Sequence, residues 1–208
     1  MILGKKKKEM SWYDVTLYKY VRLHELSKVE DDTDRLLAVA ELMLGEEVTE
    51  LPIQEFSQEV KKLSFMNAPI PEIKLPKKID VNGRKYYFDC LLGNISTSQY
   101  VDFTTHAKSN DMSKMLSAFV IPDGHKYNDG YDMQMVMSDI NELPIPIVQS
   151  AAFFFGTQLE LFMRIFQHYS VRRIKKTKLP KEAKENMIKA VKASVDLVLF
   201  PTSSSFVK

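Results

Sequence analysis

The chain has 208 residues, is 45% hydrophobic and 27% charged, and carries a formal net charge of +2. This is the profile of an ordinary soluble globular protein with enough length for one sizeable core or two small ones. Cys90 is the only cysteine, which excludes an intramolecular disulfide and makes a reducing cytosol the expected compartment.

The opening MILGKKKKEM is basic but has no apolar stretch behind it, so no signal peptide is expected. Thr16 is placed to cap a first helix through Leu17, Tyr20, Val21 and Leu23. The Asp31-Asp32-Thr33-Asp34 cluster puts carboxylates at the positive end of a second helix, for which Gly45 is a stop. Pro52 opens a third helix through Ile53, Phe56, Val60 and Leu63. Pro69, Pro71 and Pro76 then forbid helix and predict an extended connection.

That connection feeds IDVNGRKYYFDC, residues 79 to 90, where Asn82-Gly83 sits between apolar alternations. This pair supplies the positive φ angles of a type I′ turn, so a two-stranded hairpin is predicted. Ser96 and Gln99 have capping-box spacing and start a new helix near Thr97. From here the chain repeats itself. At an offset of 80 residues Thr16 meets Ser96, Tyr20-Val21 meets Tyr100-Val101, and Asp31, Leu36, Gln54 and Leu63 meet Asp111, Leu116, Gln134 and Leu143. The matches fall on caps and apolar faces without a gap, which predicts two copies of a three-helix unit joined by the hairpin.

After Pro144 and Pro146 a long helix is expected. Val148, Ala152, Phe155, Leu159, Phe162, Phe166 and Tyr169 form its stripe, widened by Ala151, Phe154, Leu161 and Ile165. Its apolar run from Ala151 to Phe166 contains Gln158, Glu160 and Arg164, so no membrane span is predicted. The basic RRIKK that follows suits the negative pole of the helix. A last amphipathic helix runs from about Lys181 to Leu199, before a frayed Ser-rich tail. The expected fold is thus mainly α, divided into residues 1–66, a linker and hairpin at 67–95, and a second unit with C-terminal helices at 96–208.

Charge is unevenly spread. Ten acidic residues and one basic one, Arg35, lie between Glu30 and Glu59; nine basic and two acidic ones lie between Arg172 and Lys192. Solvated helix faces explain this, and so does docking of subunits or of an anionic partner. Arg172, Arg173, Lys175 and Lys176 form a basic patch able to meet phosphates, although only Tyr169 lies near for base stacking.

No catalytic constellation is evident: the chain has no phosphate-binding glycine loop, no H-E-x-x-H, no C-x-x-C and no G-x-S-x-G. His24, His106, His125 and His168 are scattered. Asp123, Asp129 and Asp132 offer hard oxygens, but the spacing of a calcium loop is missing and turn chemistry accounts for them. No metal, cofactor or enzymatic activity is expected. The methionines Met112, Met115, Met133, Met135 and Met137 suit core filling and equally a surface that grips apolar partners.

The stretch VNGRKYYFDCLLGNISTSQYVDF, then LSAFVIPDGHKYNDGYD and SAAFFFGTQLELFMRIF, resembles the tail-assembly-chaperone-like proteins of tailed bacteriophages, particularly those infecting Bacteroides-type hosts. The similar order is hairpin, capped helix, I-P-x-G loop and aromatic helix, over roughly residues 75 to 170. The resemblance implies a non-enzymatic protein in the host cytoplasm that keeps a tape-measure or other tail protein soluble. It carries over no catalytic residue. A neck, connector or other virion component is the first alternative, and a nucleic-acid-binding protein the second. Phe154, Phe155, Leu161, Phe162, Ile165 and Phe166 are the candidate partner-binding residues, facing an apolar client or a second subunit.

Overall fold

A computed structural model describes residues 9–89, 95–108 and 111–196. The protein is mainly helical, with one small antiparallel sheet. A short 3-10 turn, Trp12–Asp14, is fixed by a capping box in which Ser11 and Asp14 serve each other's backbone. Helices α1 (Leu17–Leu26), α2 (Asp32–Leu44) and α3 (Ile53–Val60) follow. Thr16 accepts from the Lys19 amide at 3.3 Å, and Asp31 accepts from the amides of Thr33 and Asp34, so both caps form where the sequence places them. Gly45 closes α2 with a φ of 110°, a backbone angle that favours glycine.

The proline-rich segment is extended and strapped to the body. The Trp12 indole donates to the Ala68 carbonyl at 3.0 Å, and the Ser150 hydroxyl to the Ile73 carbonyl at 2.8 Å. Strands β1 (Lys78–Val81) and β2 (Arg84–Phe88) then form the predicted hairpin, with φ of 53° at Asn82 and 77° at Gly83. Tyr86 and Phe88 turn inward from β2.

The second segment runs α4 (Thr97–Lys108), α5 (Met112–Ser117) and α6 (Met133–Asn141). These helices start 80 residues after α1, α2 and α3. The resemblance between segments is incomplete, however. Helix α5 stops after six residues, where α2 continues for 13. The chain instead enters β3 (Val120–Pro122), which pairs antiparallel with β2 and makes the expected hairpin a three-stranded sheet in the order β1-β2-β3. The local reason is composition: AVAELML ends α2, whereas AFVIPDG follows α5. β-Branched Val120 and Ile121 favour strand. Pro122 cannot donate to a ladder and belongs on an edge, which is where β3 lies. The exposed edge of β2 supplies the partner; Tyr86 pairs with Pro122 and Phe88 with Val120.

Helix α7 (Ile145–Lys176) has Pro146 in its first turn, and α8 (Lys181–Asp196) packs back against it. A two-way backbone bridge ties the start of α1 to the start of α7. The Leu17 amide donates to the Leu143 carbonyl at 2.9 Å, and the Ile145 amide to the Val15 carbonyl at 2.8 Å. Buried residues of both segments and the sheet form one continuous cluster, including Val15, Met43, Leu63, Tyr86, Phe103, Leu116, Ile140 and Val148.

A candidate partner-binding arm

Helix α7 changes character along its length. Its first three turns belong to the core, where Val148, Ala151 and Phe155 are buried. Phe155 lies at the centre of an aromatic cluster: stacked on Phe119 at 4.1 Å, edge-on to Phe154 at 5.3 Å, and 6.3 Å from Phe88. Phe103 of α4 extends the cluster, 5.0 Å from Phe119. Phe155 is therefore not a partner-binding residue. Large aromatic area together with offset geometry makes it a core anchor. Phe154 is half-buried against the same core.

Beyond Gly156 the helix runs on for 20 residues to Lys176, about 30 Å at 1.5 Å per residue. Here three of its described apolar side chains face solvent. Leu161 is 52% exposed, Ile165 59% and Tyr169 61%. Steps of four keep these three on one row of the helix. Phe153, at 70%, is exposed on the near side of Gly156. The side chains of Leu159, Phe162 and Phe166 lie outside the described residues. Arg172, Arg173, Lys175 and Lys176 are all exposed near the end of the row, the last three of them in the final turn, where positive charge offsets the helix dipole.

Helix α8 packs along α7, and Ile174, near the end of α7, is buried. The turn is closed by Thr177, whose amide and hydroxyl both donate to the Ile174 carbonyl, at 3.1 and 2.7 Å. The result is a helical hairpin with an apolar row and a basic tip.

The other motifs do local work. Asp132 caps α6 through the Gln134 and Met135 amides, Asp129 accepts from the Lys126 amide at 2.6 Å, and Asp123 pairs with Lys78 at 3.0 Å. These carboxylates are dispersed by their bonds. Among the described residues no three of His, Cys, Asp and Glu come together as metal ligands, and no helix is long and apolar enough to cross a membrane. Cys90 lies outside the described residues.

Two features escaped sequence reasoning. Phe153 lies off the periodic stripe, and an aromatic off the stripe of a core helix was the available signal. Asp139 is 2% exposed and gathers Arg84, Tyr86 and Asn82 from the hairpin; nothing local marks it out. Comparison with family models, with curated proteins and with solved structures finds no match to the chain.

Proposed function

We propose that the protein acts by binding and not by catalysis, as a phage morphogenesis protein whose α7 arm holds an apolar segment of a tail protein. The row of Leu161, Ile165 and Tyr169, together with Phe153, carries this reading. Solvent-facing apolar residues at helical spacing on a helix that has already left its core suit a helix-in-groove or helix-on-helix contact. Each large side chain gains roughly 1.5–3 kcal/mol on full burial, so three or four of them suffice for a firm hold once ordering costs are met. The resemblance to tail assembly chaperones names the client as the tape-measure protein and the place as the host cytoplasm.

Co-expression with the tape-measure protein of the same genome tests it. Wild type is expected to keep the client soluble, and Leu161→Asp and Ile165→Asp variants, folded by circular dichroism, to lose that ability. If wild type leaves the client insoluble and instead co-purifies with mature virions, the protein is a structural neck or connector component. The exposed basic tip favours nucleic acid as a second reading; DNA retention that falls steeply with salt and with Arg172→Ala would establish it.

A further inference from the structure

The contact between α7 and α8 has an open continuation. Toward the end of α7 the half-buried and buried residues are Gln167, Ser170, Val171 and Ile174, at steps of three and four. On α8 the half-buried ones are Ala183, Lys184, Ile188 and Val191, and the others from Lys181 to Lys192 are exposed. Steps of seven carry the α7 side from Ile174 and Gln167 back to Phe153, which is 70% exposed. Gly156, one turn along, has nothing within 4 Å of an added Cβ. The same step carries Ile188 and Val191 forward to Val195 and Val198, past Asp196, where the described part of α8 ends.

Register brings these two continuations together. The Lys184 ammonium donates to the Lys175 carbonyl at 3.4 Å across the helical hairpin. Asp196 then lies about 18 Å further on, level with about residue 163 of α7, and Phe153 about 15 Å beyond that. Residues 197–208, LVLFPTSSSFVK, lie outside the described residues and open with four apolar side chains. A stretch of that length spans about 18 Å even as helix and about 40 Å when extended, so Phe153 is within its reach. Being tethered, it meets α7 at an effective concentration near millimolar and avoids the entropy cost that a second molecule incurs.

We propose that the C-terminal segment opening with Leu197–Phe200 docks on Phe153 and the open side of α7 beside Gly156, as a continuation of the α7–α8 contact. An exposed aromatic ring and an apolar segment released beside it both gain by mutual burial. The client-facing row lies elsewhere: Ile165 is about 120° round the helix from Phe153. The docked segment thus covers the root of the arm and leaves Leu161, Ile165 and Tyr169 open. On the reading of α7 as a binding arm, a client that lands on this row and extends to Phe153 displaces the segment.

Cross-linking in the full chain, without client, tests the docking. In a Cys90→Ser background, Phe153→Cys is combined with Val198→Cys or with Phe200→Cys and oxidised by glutathione disulfide. The control combines Ile165→Cys with the same partners, and circular dichroism verifies each fold. A disulfide needs Cα atoms within about 7 Å. At least one Phe153→Cys pair is expected to close within the monomer about 10-fold faster than its control, beyond what an undocked tether provides. Equal rates at the two positions, or no closure at Phe153→Cys, would overturn the proposal. A disulfide that joins two chains on a non-reducing gel puts the segment of a second copy there and overturns it too. A second measurement needs no cysteine: amide exchange around Phe153 and Gly156 should quicken roughly 3-fold or more in Val198→Asp and Phe200→Asp variants. Exchange unchanged in both variants sinks the docking. No client enters these measurements, so docking and client capture fail separately.

Discussion

A carboxylate at 2% exposure needs partners, and Asp139 on α6 takes three from the hairpin. Arg84 reaches it through Nε at 2.5 Å and through a second guanidinium nitrogen, Asn82 through Nδ2 at 3.2 Å, and Tyr86 through its hydroxyl. The Arg84 bond, more than any other interaction, holds Asp139 below the ordinary carboxylate value, with Tyr86 and Asn82 adding to it against the opposing effect of burial. Tyr86 in turn is pushed up to about 12, first by burial and then by its bond to Asp139. Asp139→Ala should cost about 2–3 kcal/mol in urea unfolding, because it leaves the buried Tyr86 hydroxyl without its acceptor. Tyr86→Phe, which keeps the ring and leaves Asp139 its other two donors, should cost about 1 kcal/mol. The pH dependence has a definite sign. A folded pKa below the unfolded one stabilises at any pH above the unfolded value of 3.8 and is lost as pH falls through the folded value. The stability gap between wild type and Asp139→Asn should therefore hold constant from neutral pH to about pH 5 and shrink below it. A gap unchanged in acid would mean that the pair is not ionic.

Elements carry their own tests, and two glycines give opposite signs. Gly83 has a φ of 77° in the hairpin turn and open space where a Cβ would sit. Gly83→Ala is then a matter of backbone strain alone and should destabilise by about 1–2 kcal/mol. Gly156 lies inside α7 without a positive φ, and nothing stands within 4 Å of an added Cβ. Gly156→Ala should stabilise by about 0.5–1 kcal/mol through helix propensity. Thermal melts of both variants decide; a destabilised Gly156→Ala would mean that α7 needs its glycine where it leaves the core. At this scale most element starts were legible, because caps are local chemistry: Thr16, Asp31 and the Ser96–Gln99 box all form as their spacing predicts. The end of α5 was not. The offset of 80 predicted a helix as long as α2, and strand β3 appears in its place, since pairing with β2 is a non-local choice.

At the scale of the whole molecule, α7 divides the protein into a body and an arm. The body is closed by contacts distant in sequence: the α1–α7 bridge, the proline-rich strap and the aromatic cluster around Phe155. Phe155→Ala should cost about 3–5 kcal/mol, the transfer loss plus the cavity left among Phe88, Phe119 and Phe154. Ile165→Asp, ten residues along the same helix, should change stability by no more than about 0.5 kcal/mol, because its side chain faces water. Chemical denaturation of the two variants measures the contrast. Equal losses would show that the arm is folded onto the body and offers no free surface.

The sequence by itself determined the helical class, the caps, the hairpin turn and the long aromatic helix, since each depends on residues within a few positions of one another. It also showed that α7 is apolar over more than one face. It did not show which of those residues meet a core. Phe155 and Ile165 look alike in a periodic stripe, yet one is enclosed by rings from β2, α7 and the loop between α5 and β3, and the other is exposed. Burial is set by which distant elements arrive, and the arrival of β3, the closing of the α1–α7 bridge and the end of the body near Gly156 are tertiary events.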